Sequence, residues 1–268
     1  MSEKQMQAFI WIVVNSKGGV GKTFTAREFI ATMLHYFTKK QITLLFVDDN
    51  NNVSTKDNDV FRIEKYNVKD GIEASQTSFF NVLNGEHVVI DAGGGNDTNF
   101  IIDGITQLGL NEYVRFIIPI LKDEDDVENL VKTHSRIRNV APDAEITIVL
   151  NKATSTDKET LKCDFPFLFK DKELLSDDIK KIMSDKKVSI ATIVETELFS
   201  RLKISEINHT LYTLGSNIID SVQRLKDASK GDKKDYAGVL AKTLFHKQCN
   251  DYFKDVYLPF FKKCGFKI

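Results

Sequence analysis

Cysteine is scarce and unpaired in this chain. Its three cysteines, Cys163, Cys249 and Cys264, share no metal-binding spacing, and an odd number does not suggest a disulfide framework. They read as idle thiols of a reducing compartment. The five histidines, His35, His87, His134, His209 and His246, are scattered without ligand spacing, so no zinc site is expected. Net charge is absent too. Lys and Arg number 37 against 38 Asp and Glu, a balance of −1, so no global field draws the protein to nucleic acid or membrane. Any such contact must come from a local patch. No apolar run approaches the roughly 20 residues of a membrane span. Met1–Gln7 has no basic stretch leading into a long apolar one, so no signal peptide is expected. Repeats and low-complexity tracts are missing as well. What remains is a 268-residue chain, 42% hydrophobic and 28% charged, long enough to bury a sizeable core. The expectation is one domain over 1–268, with 195–268 a helical C-terminal portion, in the cytoplasm.

Against this plain background one stretch stands out: Asn15-Ser16-Lys17-Gly18-Gly19-Val20-Gly21-Lys22-Thr23. An apolar run, Phe9–Val14, leads in, and a helix-like segment from about Lys22 to Phe37 leads out. Glycines free the backbone to curl round an anion with its N–H groups aimed inward. The following helix adds the positive end of its dipole. In that setting Lys22 reaches the β- and γ-phosphates of a nucleotide, and the Thr23 hydroxyl sits on Mg²⁺.

The rest of the first 195 residues alternates strand with helix. Apolar, branched runs predict strands at Phe9–Val14, Ile42–Val47, Val60–Tyr66, His87–Asp91, Val114–Leu121, Glu145–Leu150 and Val188–Val194. Helices are predicted at Gln76–Leu83 and from Asp123 to Arg138, whose opening acids suit a helix N-terminus. Thr154–Asp164 reads as a polar loop and Phe165–Phe169 as strand or packed turn. Ile207–Leu225 and Tyr236–Phe253 read as long helices. The predicted class is α/β: a mostly parallel sheet with helices on both faces and a helical C-terminal part. Chemistry then belongs at the carboxyl ends of the strands. The motifs fall there: Asn15–Thr23, Asp48–Asn50, Asp91–Gly95 and Asn151.

Lys17-Gly18-Gly19-Val20-Gly21-Lys22-Thr23 resembles the deviant Walker A loop of the ParA/MinD family of P-loop ATPases. Ser16 stands where the general P-loop has glycine, and Lys17 matches the family's extra lysine. The resemblance implies a P-loop NTPase fold, ATP and Mg²⁺ as ligands, and a homodimer formed on ATP binding. It implies that Lys17 touches the partner's nucleotide. The implied nucleotide-binding set is Lys17, Gly18, Gly19, Val20, Gly21, Lys22, Thr23, Phe24, Gly94 and Asn151, with Asn151 at the adenine. Thr23, Asp48 and Asp91 are implied around the metal. Lys17, Asp48 and Asn50 form the implied catalytic set. Asn50 departs from the family's second aspartate: an amide orients a water but cannot take its proton, so slow hydrolysis is expected. Asn151-Lys152-Ala153-Thr154 lacks the carboxylate of guanine-selective proteins, which favours ATP.

The implied role is segregation or maintenance of DNA, that of a plasmid or a chromosome. It would use ATP-dependent non-specific DNA binding through C-terminal lysines, stimulated by a centromere-binding type of partner, in association with the nucleoid. Two alternatives stay open: a nucleotide-gated interaction protein of a conjugative plasmid with little turnover, for which Asn50 speaks, and a MinD-like membrane-positioning ATPase. The tail Tyr257–Lys263 speaks for the latter, although Pro259 and Gly265 interrupt it.

Overall fold

The computed structural model describes residues 7–48, 57–107, 109, 111–169, 175–205 and 209–266. The chain divides into two compact units, Met1–Glu195 and Thr196–Ile268.

The first unit is built on seven parallel strands: β1 (Ile10–Val13), β2 (Ile42–Val47), β3 (Phe61–Tyr66), β4 (Val88–Ala92), β5 (Val114–Ile120), β6 (Glu145–Ala153) and β7 (Val188–Val194). Their order in the sheet is β3-β2-β4-β1-β5-β6-β7, and every adjoining pair is parallel. The apolar runs become central strands because both of their faces are covered; all of Ile10–Val13 and Ile42–Val47 is buried. On one face Ile10, Ile12, Leu45, Ile90, Phe116, Ile118 and Ile148 join a core with residues of several helices, four of them long. These are α2 (Gly71–Leu83), α3 (Asn96–Gln107), α4 (Asp125–Val140) and α7 (Asp177–Ser184). The other face receives helix α1, residues 22–38, through its contacts with β1, β2 and β4. Phe29, Ile30, Met33 and Leu34 of α1 are wholly buried. The middle of α1, Thr25–Ala31, winds as a π-helix before regular α-geometry resumes over Thr32–Thr38.

Between β6 and β7 two short helices replace expected non-helical structure. Thr154–Asp164, read as loop, contains α5 (Lys158–Asp164), whose N-cap Asp157 accepts the Thr160 N–H at 3.0 Å. Phe165–Phe169, read as strand or turn, is the short helix α6 (Pro166–Phe169) behind the buried Phe165. Proline at the first helical position lacks only a hydrogen that no helical carbonyl there would accept. Helix α3 had no counterpart among the expected elements, and α2 begins five residues earlier than its apolar spacing indicated.

The second unit is helical: α8 (Leu198–Ser205), α9 (Leu211–Ser216), α10 (Ile218–Ala228), α11 (Lys233–Tyr252) and α12 (Leu258–Lys263), the last two joined by a π-helical turn, Phe253–Tyr257. The long helix expected over Ile207–Leu225 is broken at Asn217 into α9 and α10. Gly215 explains the close seating of α9 on α11, since a Cβ there would lie 2.9 Å from the Asn250 nitrogen. Among the described residues no helix is long and apolar enough to cross a membrane.

Two outcomes check this packing. Gly215→Ala forces backbone apart and should cost about 1–3 kcal/mol. Gly238→Ala, in the same unit, meets open space on α11 and should stabilise by up to about 1 kcal/mol. Urea denaturation of both variants should shift their midpoints in opposite directions. His87 supplies the second. It is buried, and its Nδ1 accepts the Phe9 N–H at 3.2 Å. Burial pushes its pKa down to about 4, and Arg115 and Lys40 add to the fall. The unfolded chain then binds the proton that the fold refuses. The stability involved is complete above about pH 6.5 and is lost as pH falls toward 4. His87→Gln should lose less stability than wild type between pH 7 and 4.5; equal losses would contradict this assignment.

Candidate functional site

β1 sits in the middle of the sheet, and the chain leaves its carboxyl end as the glycine-rich loop. The loop is pinned where it starts. Asn15, fully buried, donates from Nδ2 to the Pro119 carbonyl at 2.8 Å and accepts the Lys17 N–H on Oδ1 at 2.9 Å. Ser16 Oγ donates to Asn129 Oδ1 at 2.9 Å. Two residues of the curl stand in the left-handed region, Gly19 at φ 77° and Gly21 at φ 89°, where a side chain is strained. Helix α1 then starts at Lys22 with the Gly21 carbonyl as its first acceptor, 2.9 Å from Thr25 N. Lys22 closes the curl: its ammonium, largely buried, donates to the Asn15 carbonyl at 3.1 Å and the Lys17 carbonyl at 2.9 Å.

A second loop leaves β4 and lies alongside. Gly95 N–H donates to the Ser16 carbonyl at 2.9 Å. Thr98, at the head of α3, donates from its hydroxyl to the Gly93 carbonyl at 3.0 Å and lies 3.4 Å from the Asn15 carbonyl. A Cβ on Gly94 would be 3.8 Å from the Gly18 nitrogen, the Ser16 oxygen and Lys22 Nζ. The two loops enclose a cavity of about 370 Å³, lined by Gly18, Gly19, Gly21, Lys22, Thr23, Phe24, Asp48, Asp91, Ala92, Gly93 and Gly94. A cavity of about 430 Å³ at the amino ends of β1, β5 and β6, lined by Phe9, Asn111, Arg115 and Glu145 among others, is remote from these motifs.

Asp91 is the electrostatic anomaly of the site. It is 2% exposed, and neither carboxylate oxygen makes a hydrogen bond of full geometry among the described residues. Burial pushes its carboxyl up to about 7; the nearby Thr23 hydroxyl and Lys22 ammonium oppose that rise and Asp48 adds to it. The Thr23 hydroxyl is thus close enough to favour the charge without being aligned to satisfy it. A buried carboxylate left this way is costly unless a cation or a proton joins it. Asp91, the Thr23 hydroxyl and Asp48 on one cavity wall form an all-oxygen donor set of the kind that hard divalent cations take. The open space beside Gly18 and Gly19, where added Cβ atoms would meet nothing within 4 Å, leaves room for a ligand against the loop.

Of the residues named from sequence, Gly18, Gly19, Gly21, Lys22, Thr23, Phe24, Asp48, Asp91 and Gly94 come together here. Val20 is wholly buried beneath the loop. Asn50 lies outside the described residues. Lys17 turns away from the cavity: its ammonium is 2.7 Å from Asp126 Oδ1 and 3.7 Å from Asp123. The hydrogen bond to Asp126 raises its pKa, burial opposes the rise, and the charges of Asp126, Asp123 and Asp125 add to it. Asp126, read in the sequence only as part of a helix N-terminus, also accepts the Leu121 N–H at 2.5 Å and is fully buried. Asn151 is directed at the glycine-rich loop, its Nδ2 donating to the Val20 carbonyl at 2.9 Å. Sequence reasoning named Asn15 only as the first residue of the loop, and missed Thr98 and Asp126 as parts of the site. Their only signal is position, each within a few residues of the carboxyl end of a strand.

No protein-family model and no curated protein sequence matches the chain. Solved structures do resemble it, three of them as follows. Cobyrinic acid a,c-diamide synthase from Mycobacterium smegmatis, with bound ATP analog and magnesium, is 12% identical; the match covers 76% of this chain and 98% of that one, with a TM-score of 0.46. A plasmid partition protein from Borrelia burgdorferi is 15% identical over 75% of this chain and 96% of that one, at 0.44. The MinC:MinD cell division complex of Aquifex aeolicus is 15% identical over 72% of this chain and 84% of that one, at 0.47. Each is a distant likeness in fold.

Proposed function

We propose that the chain is a magnesium-dependent ATP-binding protein of the ParA/MinD kind. In this reading it dimerises on ATP and holds DNA non-specifically for segregation or maintenance. The observation that carries the reading is the pairing of a curled, lysine-closed backbone loop with a buried aspartate that has no full hydrogen bond. Magnesium, when bound, supplies positive charge that neutralises the phosphates and polarises a water. The chain's own residues do the rest. The N–H groups of Gly18 to Thr23 bind the phosphates, and Lys22 exchanges its two carbonyl partners for phosphate oxygens. Thr23 and Asp91 would hold that cation through their oxygens, and its charge would compensate the buried Asp91 carboxylate. Asp48 orders that shell from β2.

Lys17 is held on Asp126 and Asp123 in the single chain. Its proposed role at a partner's nucleotide requires it to leave them. Exposed lysines of the helical unit, Lys226, Lys230, Lys233, Lys234, Lys242 and Lys247, support a nucleic-acid surface. Tyr257, Phe260 and Phe261, three apolar side chains of the tail, are buried, and Leu258 between them is half-buried, which favours DNA over a lipid surface.

Filter binding to non-specific DNA with ATP, ADP or no nucleotide, across a salt series, tests this reading. Retention with Mg-ATP alone, falling linearly in log–log form with salt and lost in Lys22→Ala, is expected. Equal retention without nucleotide, or none at all, refutes it. Turnover tests the amide at position 50: Asn50→Asp should hydrolyse ATP about 10²-fold faster than wild type. Equal rates would remove Asn50 as the reason for slow chemistry.

A further inference from the structure

Asn151 stands at the carboxyl end of β6, two strands away from β1. It is 3% exposed. Both atoms of its amide group are engaged with backbone: Nδ2 donates to the Val20 carbonyl at 2.9 Å, and Oδ1 accepts the Lys152 N–H at 2.9 Å. The opposite orientation of the amide would set oxygen against oxygen and N–H against N–H, so the network fixes it. The backbone around it is shaped to deliver the group. Lys152 takes the left-handed conformation, φ 56°, and the β6–β7 register shifts between Leu150 and Ala153.

The fit on the loop side is as close. Gly21 stands at φ 89°, and a Cβ built on it would lie 2.2 Å from Asn151 Nδ2. The space that a side chain at position 21 would need is therefore filled by the Asn151 amide. Val20 and Gly21 share the peptide group whose oxygen Asn151 holds. Fixing that oxygen fixes the N–H on the other side of the same peptide plane, and this is the last N–H before the helix of Lys22 and Thr23 begins.

We infer that Asn151 is a positioning residue for the phosphate-binding loop. It acts through the Val20–Gly21 peptide, setting the direction of the N–H groups that meet the triphosphate. The inference rests on the nucleotide-binding reading of the loop and assigns Asn151 a task that the sequence resemblance did not.

The two tasks separate on a ligand without a base. Calorimetric titration with Mg-ATP and with magnesium tripolyphosphate should show Asn151→Ala weakening both by the same factor, about tenfold for one lost buried hydrogen bond. A general loss of stability lowers the folded fraction but leaves the affinity of the folded molecules unchanged. Asn151→Ser keeps an acceptor for the Lys152 N–H but is too short to reach Val20, and should behave like the alanine variant if that one folds poorly. Loss of ATP affinity with tripolyphosphate untouched would establish a base contact and overturn the inference, as would no change with either ligand. Should wild type bind neither, the nucleotide reading fails, and hydrogen exchange in the ligand-free protein decides the role of Asn151 alone. Faster exchange in the variant confined to the amides of residues 20–23 upholds it, and unchanged exchange there rejects it.

Discussion

One buried ammonium holds the candidate site in shape. Lys22 donates to two carbonyls of the loop that precedes it, Asn15 and Lys17, and so bridges the loop's start to its helix. A lysine without acceptors would not remain charged in so enclosed a place. The loop supplies those acceptors only because it is curled, and it stays curled because the ammonium satisfies them. Asn15, Ser16 and Asn151 add side-chain bonds from three directions. The consequence is a hollow shaped by backbone before any ligand arrives, which lowers the ordering cost of binding.

The neighbouring carboxylate is arranged in the opposite sense. Where Lys22 has two carbonyl acceptors from its own chain, Asp91 is under-satisfied, buried and pushed up to about 7. The contrast is what a cation site next to an anion site requires. Asp91 gains from whatever positive charge enters, while Lys22 has neutral partners that it can release without leaving a bare charge behind.

Much of this arrangement is legible in sequence and some of it is not, for identifiable reasons. Parallel strands covered on both faces print as continuous apolar runs, so Ile42–Val47 and Val88–Ala92 are readable to within a residue. The spacing of Gly18, Gly19, Gly21, Lys22 and Thr23 betrays the loop because the strained backbone at Gly19 and Gly21 restricts which residues can stand there. Helix α3 escapes notice because its first turn is polar and Gly104 interrupts its apolar stripe. Gly104 is needed there because a Cβ would press on Ser75 Oγ at 3.1 Å. The break at Asn217 is equally silent, since it depends on a tertiary contact of Gly215. Side-chain direction is the least legible property. The sequence places Lys17, Asp126 and Asn151 near the loop, but that Lys17 faces Asp126 and Asn151 faces Val20 follows only from how the strand ends are spaced across β5.

The wide turns of α1 carry a mechanical implication. Thr25–Ala31 winds as a π-helix directly after the loop, so it holds more residues per turn than the Thr32–Thr38 stretch beyond it. Tightening that segment by one residue would swing everything downstream through about 100°, lifting Met33 and Leu34 from their buried seats. The phosphate hollow and the far end of this helix are therefore geared to one another: neither can be re-set while the other keeps its footing on the sheet.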